Sequence, residues 1–148
     1  MAGYKNILCT TDFSNYSDAV FSSGIELAKL FDANLSLLHV VEYFPEDRSN
    51  VQISPESTDP KEYREKQAKS ELSDQVARSG YENVKTAVCI SSHSARQEII
   101  NVAKEQNIDL IIVASHGRHG ITNLLGSTAN GVVQNATCDV LVVRANSQ

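Results

Sequence analysis

An α/β fold built on a doubly wound, five-stranded parallel sheet is what this sequence predicts, and two observations carry the prediction. Short runs rich in Ile, Leu and Val alternate along the chain with segments of helical period, so each crossover returns the chain to the same end of a sheet. Several runs, such as "LIIV", are apolar without interruption, which suits strands buried on both faces rather than on one.

Taken in order, "YKNILCTT" (4–11) reads as the first strand, and Val20, Gly24, Leu27, Ala28 and Phe31 then recur on one face of a helix. "NLSLLHVV" (34–41) is the second strand. Residues 43–60, "YFPEDRSNVQISPESTDP", hold all three prolines and alternate little, so they read as a long mobile surface loop. A helix starting after Pro60 is marked by Leu72 and Val76, followed by the strand "NVKTAVCI" (83–90). Ala95, Ile99, Val102 and Ala103 mark the third helix, "DLIIVAS" (109–115) the fourth strand, Ala129, Val132, Val133 and Ala136 the fourth helix, and "DVLVVR" (139–144) the last strand.

Length and composition bound the function. A chain of 148 residues that is 41% apolar fits a single domain, residues 1–148, with a substantial core. No apolar run approaches the roughly 18 residues of a membrane span, and no signal pattern opens the chain, so a soluble cytoplasmic protein is expected. A net charge of −5 without Lys or Arg clusters argues against nucleic acid or an anionic membrane as partner. Cys9, Cys89 and Cys138 lie far apart with no CxxC spacing, and the two in strands read as small buried hydrophobes.

Ligands of open parallel sheets bind beyond the carboxyl ends of the strands. Those ends carry Thr10, Thr11 and Asp12; Val40, Val41 and Glu42; Ser91, Ser92 and His93; and Val113, Ala114, Ser115, His116 and Gly117. After the fourth strand, "SHGRHGITNLLGST" offers backbone amides to an anion, because Gly117 and Gly120 permit positive φ and remove a Cβ from the approach. Gly126, Ser127 and Thr128 open the last helix, whose first amides lack intrahelical acceptors and whose dipole favours negative charge. Ser127 or Thr128 either caps that helix or donates to the anion. Arg118 is the loop's cation. Neither GxxxxGK[ST] nor a GxGxxG after the first strand is present, so the loop is not that of a P-loop or Rossmann nucleotide fold.

Together, "YKNILCTTDFS", "LSLLHVVE" and "DLIIVASHGRHGITNLLGSTANGVVQNATCDVLVVR" resemble the universal stress protein family over nearly the whole chain apart from residues 43–82. The resemblance implies strand order 3-2-1-4-5, a homodimer pairing its last strands, and, in many members, a bound ATP or AMP, with or without Mg2+. It places Asp12 at the ribose, Thr10 beside the adenine, the Val40 backbone at the adenine edge, and Gly117, Gly126 and Ser127 in the phosphate motif. Ala114 stands where that motif has its first glycine, and Arg118 to Leu125 supply eight residues where it has nine. His93 follows the third strand where relatives commonly carry glycine. These departures motivate the alternative, a stress protein dimer that binds no nucleotide and acts through protein contacts.

Other chemistries are weaker. His116 and His119 lie three apart but no third ligand follows at short spacing, so no metal is expected. His39, mid-strand, reads as a hydrogen-bonded core residue. A flavin carrier would want aromatic residues at the strand ends, which offer Phe13, Tyr43 and Phe44. No GxSxG elbow or Ser-His-Asp order appears, and only Asp12 and Arg118 could serve hydrolysis, so no catalytic residue is assigned. The expected function is a nucleotide-binding regulator read by a protein partner. The apolar edge Asp139 to Arg144 needs covering, which independently predicts a dimer, and Val142→Lys would then give a monomer.

Overall fold

The computed structural model describes residues 3–43, 60–116 and 125–144. Residues 44–59 and Gly117, Arg118, His119 and Gly120 lie outside them, as does Phe44. Within the described residues the chain runs β1 (Asn6–Thr10), α1 (Asn15–Phe31), β2 (Asn34–Glu42), α2 (Pro60–Ser79), β3 (Lys85–Ser91), α3 (Ala95–Glu105), β4 (Leu110–Ala114), α4 (Ser127–Asn135) and β5 (Asp139–Val143). The strands lie in the order β3-β2-β1-β4-β5 and every pairing is parallel. This is the doubly wound sheet that the alternation predicts.

Period-two alternation in the central strands splits the core in two. Ile7 and Cys9 of β1, Leu35 and Leu37 of β2 and Ile112 of β4 pack with Val20, Phe21 and Ala28 of α1 and Leu72 of α2. Leu8, Leu38, Ile111 and Val113 turn to the opposite face and meet Ile99, Val102 and Ala103 of α3 with Ala129 and Val132 of α4. The central strands are thus apolar on both sides because helices cover both. Gly24 lets α1 lie close over β1: a Cβ there would overlap Cys9 Sγ and stand 3.2 Å from Leu35 Cδ1. Full burial pushes the Cys9 thiol up to about 12, so it stays a protonated hydrophobe. Cys89 and Cys138 are only partly buried.

Two positions depart from the expected helix faces. Phe31 is 38% exposed, because as the last residue of α1 it overhangs the sheet, where it meets Tyr4 edge-on, ring centroids 5.5 Å apart. Val133 is 47% exposed, since α4 turns a narrow stripe inward and a neighbour of Val132 sits a hundred degrees round the axis. Pro60 is itself the first residue of α2, where its missing N–H costs nothing.

Candidate functional site

Strand lengths make a step in the carboxyl edge of the sheet. Thr10, the end of β1, pairs with Leu38, but β2 continues through Glu42, which pairs with Ser91 at the end of β3. The four residues 39–42 raise a wall about 13 Å above the end of β1 at strand rise. On the other side β4 stops at Ala114, opposite Val143 of β5. Among the described residues the strand ends are therefore recessed at β1 and β4 beside β2, and this recess is the candidate crevice.

The wall is braced from outside. The Tyr43 amide donates to the Ser91 carbonyl at 2.8 Å, Arg64 of α2 donates to the Glu42 carbonyl at 3.2 Å, and Glu42 Oε2 accepts the Ala95 amide that opens α3 at 3.1 Å. Ser94 caps the same helix by accepting the Gln97 amide.

The wall's inner side follows from hydrogen-bond alternation. Leu38 accepts the Thr11 amide through its carbonyl at 2.9 Å, so its peptide groups point toward β1. Two residues on, the N–H and C=O of Val40 point the same way, above the level where β1 has ended. A donor and an acceptor one residue wide are what the edge of a purine base can pair with.

At the floor, the turn after β1 is held in an unusual shape. Phe13 has φ +66°, a left-handed conformation that an aromatic side chain seldom adopts. Its amide donates to Thr11 Oγ1 at 3.0 Å, and the Ser14 amide donates to Asp12 Oδ1 at 3.0 Å. Asp12 is thereby fixed, half-buried, at the mouth of the crevice. His39 reaches across from β2, donating from Nδ1 to the Thr11 carbonyl at 2.7 Å, which fixes that nitrogen as the protonated one. Its ring lies 4.2 Å from that of Phe13. His39 is thus the hydrogen-bonded residue the sequence predicts, and Phe13 is packed rather than standing free as a flavin platform would.

The far end is formed by β4 and α4. The Gly126 amide donates to the Ser115 carbonyl at 2.7 Å, and the Ser115 amide donates to the Val143 carbonyl at 2.8 Å. These bonds set the start of α4 directly against the end of β4. Gly126 is the N-cap, extended at φ −61°, ψ 158°, and as glycine it brings no side chain to cap the helix. Ser127 and Thr128 are therefore the first two helical residues, not caps, both exposed, and their amides lie in the first turn, where no intrahelical acceptor exists.

The other sequence candidates fall into place around these. Val113 is buried in the core, so only its backbone can serve a ligand, and Ala114 lies in ordinary strand conformation, which alanine adopts as readily as glycine. Ser115 Oγ and His116 Nδ1 are 3.0 Å apart. Thr10 ends β1, half-buried. The hydroxyl of Thr11 is turned inward, at 2.8 Å from Gln75 Oε1 and 2.8 Å from Ser17 Oγ. Gln75 was not expected here; its signal was a polar residue in register with Ala68 and Leu72 on the buried stripe of α2. No group of three metal-ligating side chains occurs among the described residues.

Residues 3–144 match the model of the universal stress protein family. The chain belongs to that family. A universal stress protein A homolog of Coxiella burnetii (strain RSA 493 / Nine Mile phase I) is 34% identical over 142 residues, covering 95% of this chain and 96% of that protein. Among solved structures, universal stress protein UspA from Lactobacillus plantarum superposes with a TM-score of 0.72 at 28% identity, over 97% of this chain and all of the other. A universal stress protein from Archaeoglobus fulgidus, solved in complex with dAMP, shares the fold at a TM-score of 0.69 and 18% identity, over 94% of this chain and 97% of that one. Family membership accounts for the strand order. Among the described residues no helix is long and apolar enough to cross a membrane.

Proposed function

We propose that this universal stress protein is a cytoplasmic, homodimeric regulator that binds an adenine nucleotide, ATP or AMP, in the stepped crevice, and that it is not an enzyme. The observation that carries the reading is the step itself. It leaves the Val40 peptide facing the space above β1, with Asp12 at the mouth and the uncapped first turn of α4 beyond. Each part suits one portion of the ligand: a donor and acceptor pair for the base, a carboxylate for ribose hydroxyls, and amides with a favourable dipole for phosphate. The dAMP complex of the Archaeoglobus relative supports the class of ligand. Hydrolysis needs a placed base and a cation on the transferring group; with Asp12 assigned to the ribose rather than the phosphates, the nucleotide serves as a signal rather than a substrate. Calorimetric titration with ATP and AMP, with and without magnesium, is expected to show saturable binding at one site per chain. No heat at millimolar nucleotide rejects the reading.

The dimer rests on β5. It pairs with β4, and among the described residues no strand pairs with its other edge. Val142 packs into the α3 and α4 core, whereas Leu141 is 38% exposed, so Leu141 is the cleaner probe of that edge. Leu141→Lys is expected to give a folded monomer by light scattering; an unchanged dimer would place the interface elsewhere. A nucleotide-free scaffold acting through protein contacts is favoured instead if those exposed apolar side chains remain accessible in the assembly and no nucleotide is retained through purification.

A further inference from the structure

We propose that Gln75 is a positioning residue for the crevice, and that through it nucleotide occupancy is coupled to α2. This rests on the nucleotide reading and deepens it by naming the element that responds.

Thr11, Ser17, Gln75, Ser91 and Ser115 are the buried polar residues among those described, and three of them touch one another. Gln75 is 2% exposed, and both ends of its amide are engaged: Nε2 donates to Asp18 Oδ1 at 3.0 Å and Oε1 accepts from Thr11 Oγ1 at 2.8 Å. Ser17 donates to the Ser14 carbonyl at 2.7 Å, so its oxygen is turned to share the Thr11 proton. A buried amide satisfied at both ends has one orientation, and that orientation fixes the Thr11 hydroxyl.

The Thr11 hydroxyl in turn holds the Phe13 amide, and Asp12 lies between these two residues. The left-handed backbone of Phe13 is uphill and persists because its surroundings over-determine it. Gln75 supplies part of that determination from a different helix. Withdraw its acceptor and the turn loses one of its restraints, so the Asp12 carboxylate is no longer held in one place.

Coupling runs in reverse by the same contacts, since linkage is reciprocal. A nucleotide that fixes Asp12 fixes Thr11, and Thr11 fixes Gln75. Asp18, which receives the Gln75 amide, is also 3.4 Å from Arg78 Nη2, so the last turns of α2 are tied to the start of α1 through this relay. A cleft of about 290 Å³ runs beside the seam between the two helices, bordered by Asp18, Phe21, Ile25, Gln75 and Arg78, while Leu72 anchors α2 in the core. Beside that cleft the polar contacts of the seam run through this relay, so α2 responds there when the relay tightens.

Hydrogen exchange of the unmutated protein, with and without saturating AMP, is the first test. Slowed exchange is expected both at residues 11–14 and in α2 around Gln75; with AMP bound and α2 unchanged, the proposal fails. Gln75→Met keeps volume and helix propensity but removes the acceptor. It is expected to weaken AMP binding by about tenfold and to abolish the AMP-dependent slowing in α2 while leaving that in the first turn of α4. A role confined to stability would lower melting with and without AMP alike and leave the slowing in α2 intact, and that result would overturn the proposal. Absence of any AMP binding by the unmutated protein is a distinct outcome: it rejects the nucleotide reading and, with it, this inference.

Discussion

Ser127→Pro is expected to leave the fold intact and to weaken nucleotide binding by about 10- to 100-fold, the loss of one charge-assisted hydrogen bond to phosphate. The substitution is chosen because proline is welcome at the first helical position: its φ suits the helix, and the N–H it lacks has no intrahelical acceptor. The preceding residue must be extended before proline, and Gly126 already is, at φ −61° and ψ 158°. The Gly126 amide and its bond to Ser115 are untouched, as is the Gly126 carbonyl that accepts the Asn130 amide. The Ser127 N–H is deleted together with the side-chain hydroxyl. Ser127→Ala keeps that N–H and separates the hydroxyl from the backbone. Melting temperature and AMP affinity measured on both variants decide the matter. Undiminished affinity in the proline variant would show that the start of α4 does not hold the phosphate.

Gly24→Val is expected to destabilise the protein by about 2–3 kcal/mol, the usual cost of forcing a side chain into a filled core. Against this, valine improves on glycine in a helix interior by only a few tenths of a kcal/mol, so overpacking wins. For a domain of this size the melting midpoint should fall by roughly 5–10 °C. The obstruction is specific: the new Cβ meets Cys9 Sγ first and Leu35 Cδ1 next. Cys9→Ala in the same chain removes the sulfur, and the two substitutions together should cost less than the sum of each alone, as expected for residues in contact. Strict additivity would mean that α1 does not approach β1 at this point.

Much of the fold was legible in the sequence because its determinants are local or periodic. Apolar runs such as 110–113 specify strands buried on both faces, and the spacing of Val20, Gly24 and Ala28 specifies a helix with one covered side. Single terminal residues were harder. Phe31 and Val133 satisfy the helical pattern yet overhang the core, because a period says which residues share a face but not where the opposing surface stops. The capping of α4 was also ambiguous: Ser127 and Thr128 both suit an N-cap, and only the backbone angles assign that place to Gly126.

The candidate site divides in the same way. Residue identities determined its raw materials: a carboxylate after the first strand, glycines and hydroxyls before the last helix, and the family resemblance that the whole-length match establishes. They could not determine the step, since how far β2 rises above β1 depends on register, and register is settled by which side chains of distant segments pack together. Nor could they show that Gln75, dozens of residues beyond Thr11, would lie 2.8 Å from its hydroxyl. Local chemistry is written residue by residue, whereas the buried amide that orients the Asp12 turn exists only once α1, α2 and β1 share one interior, because partners far apart in the chain become neighbours through packing alone.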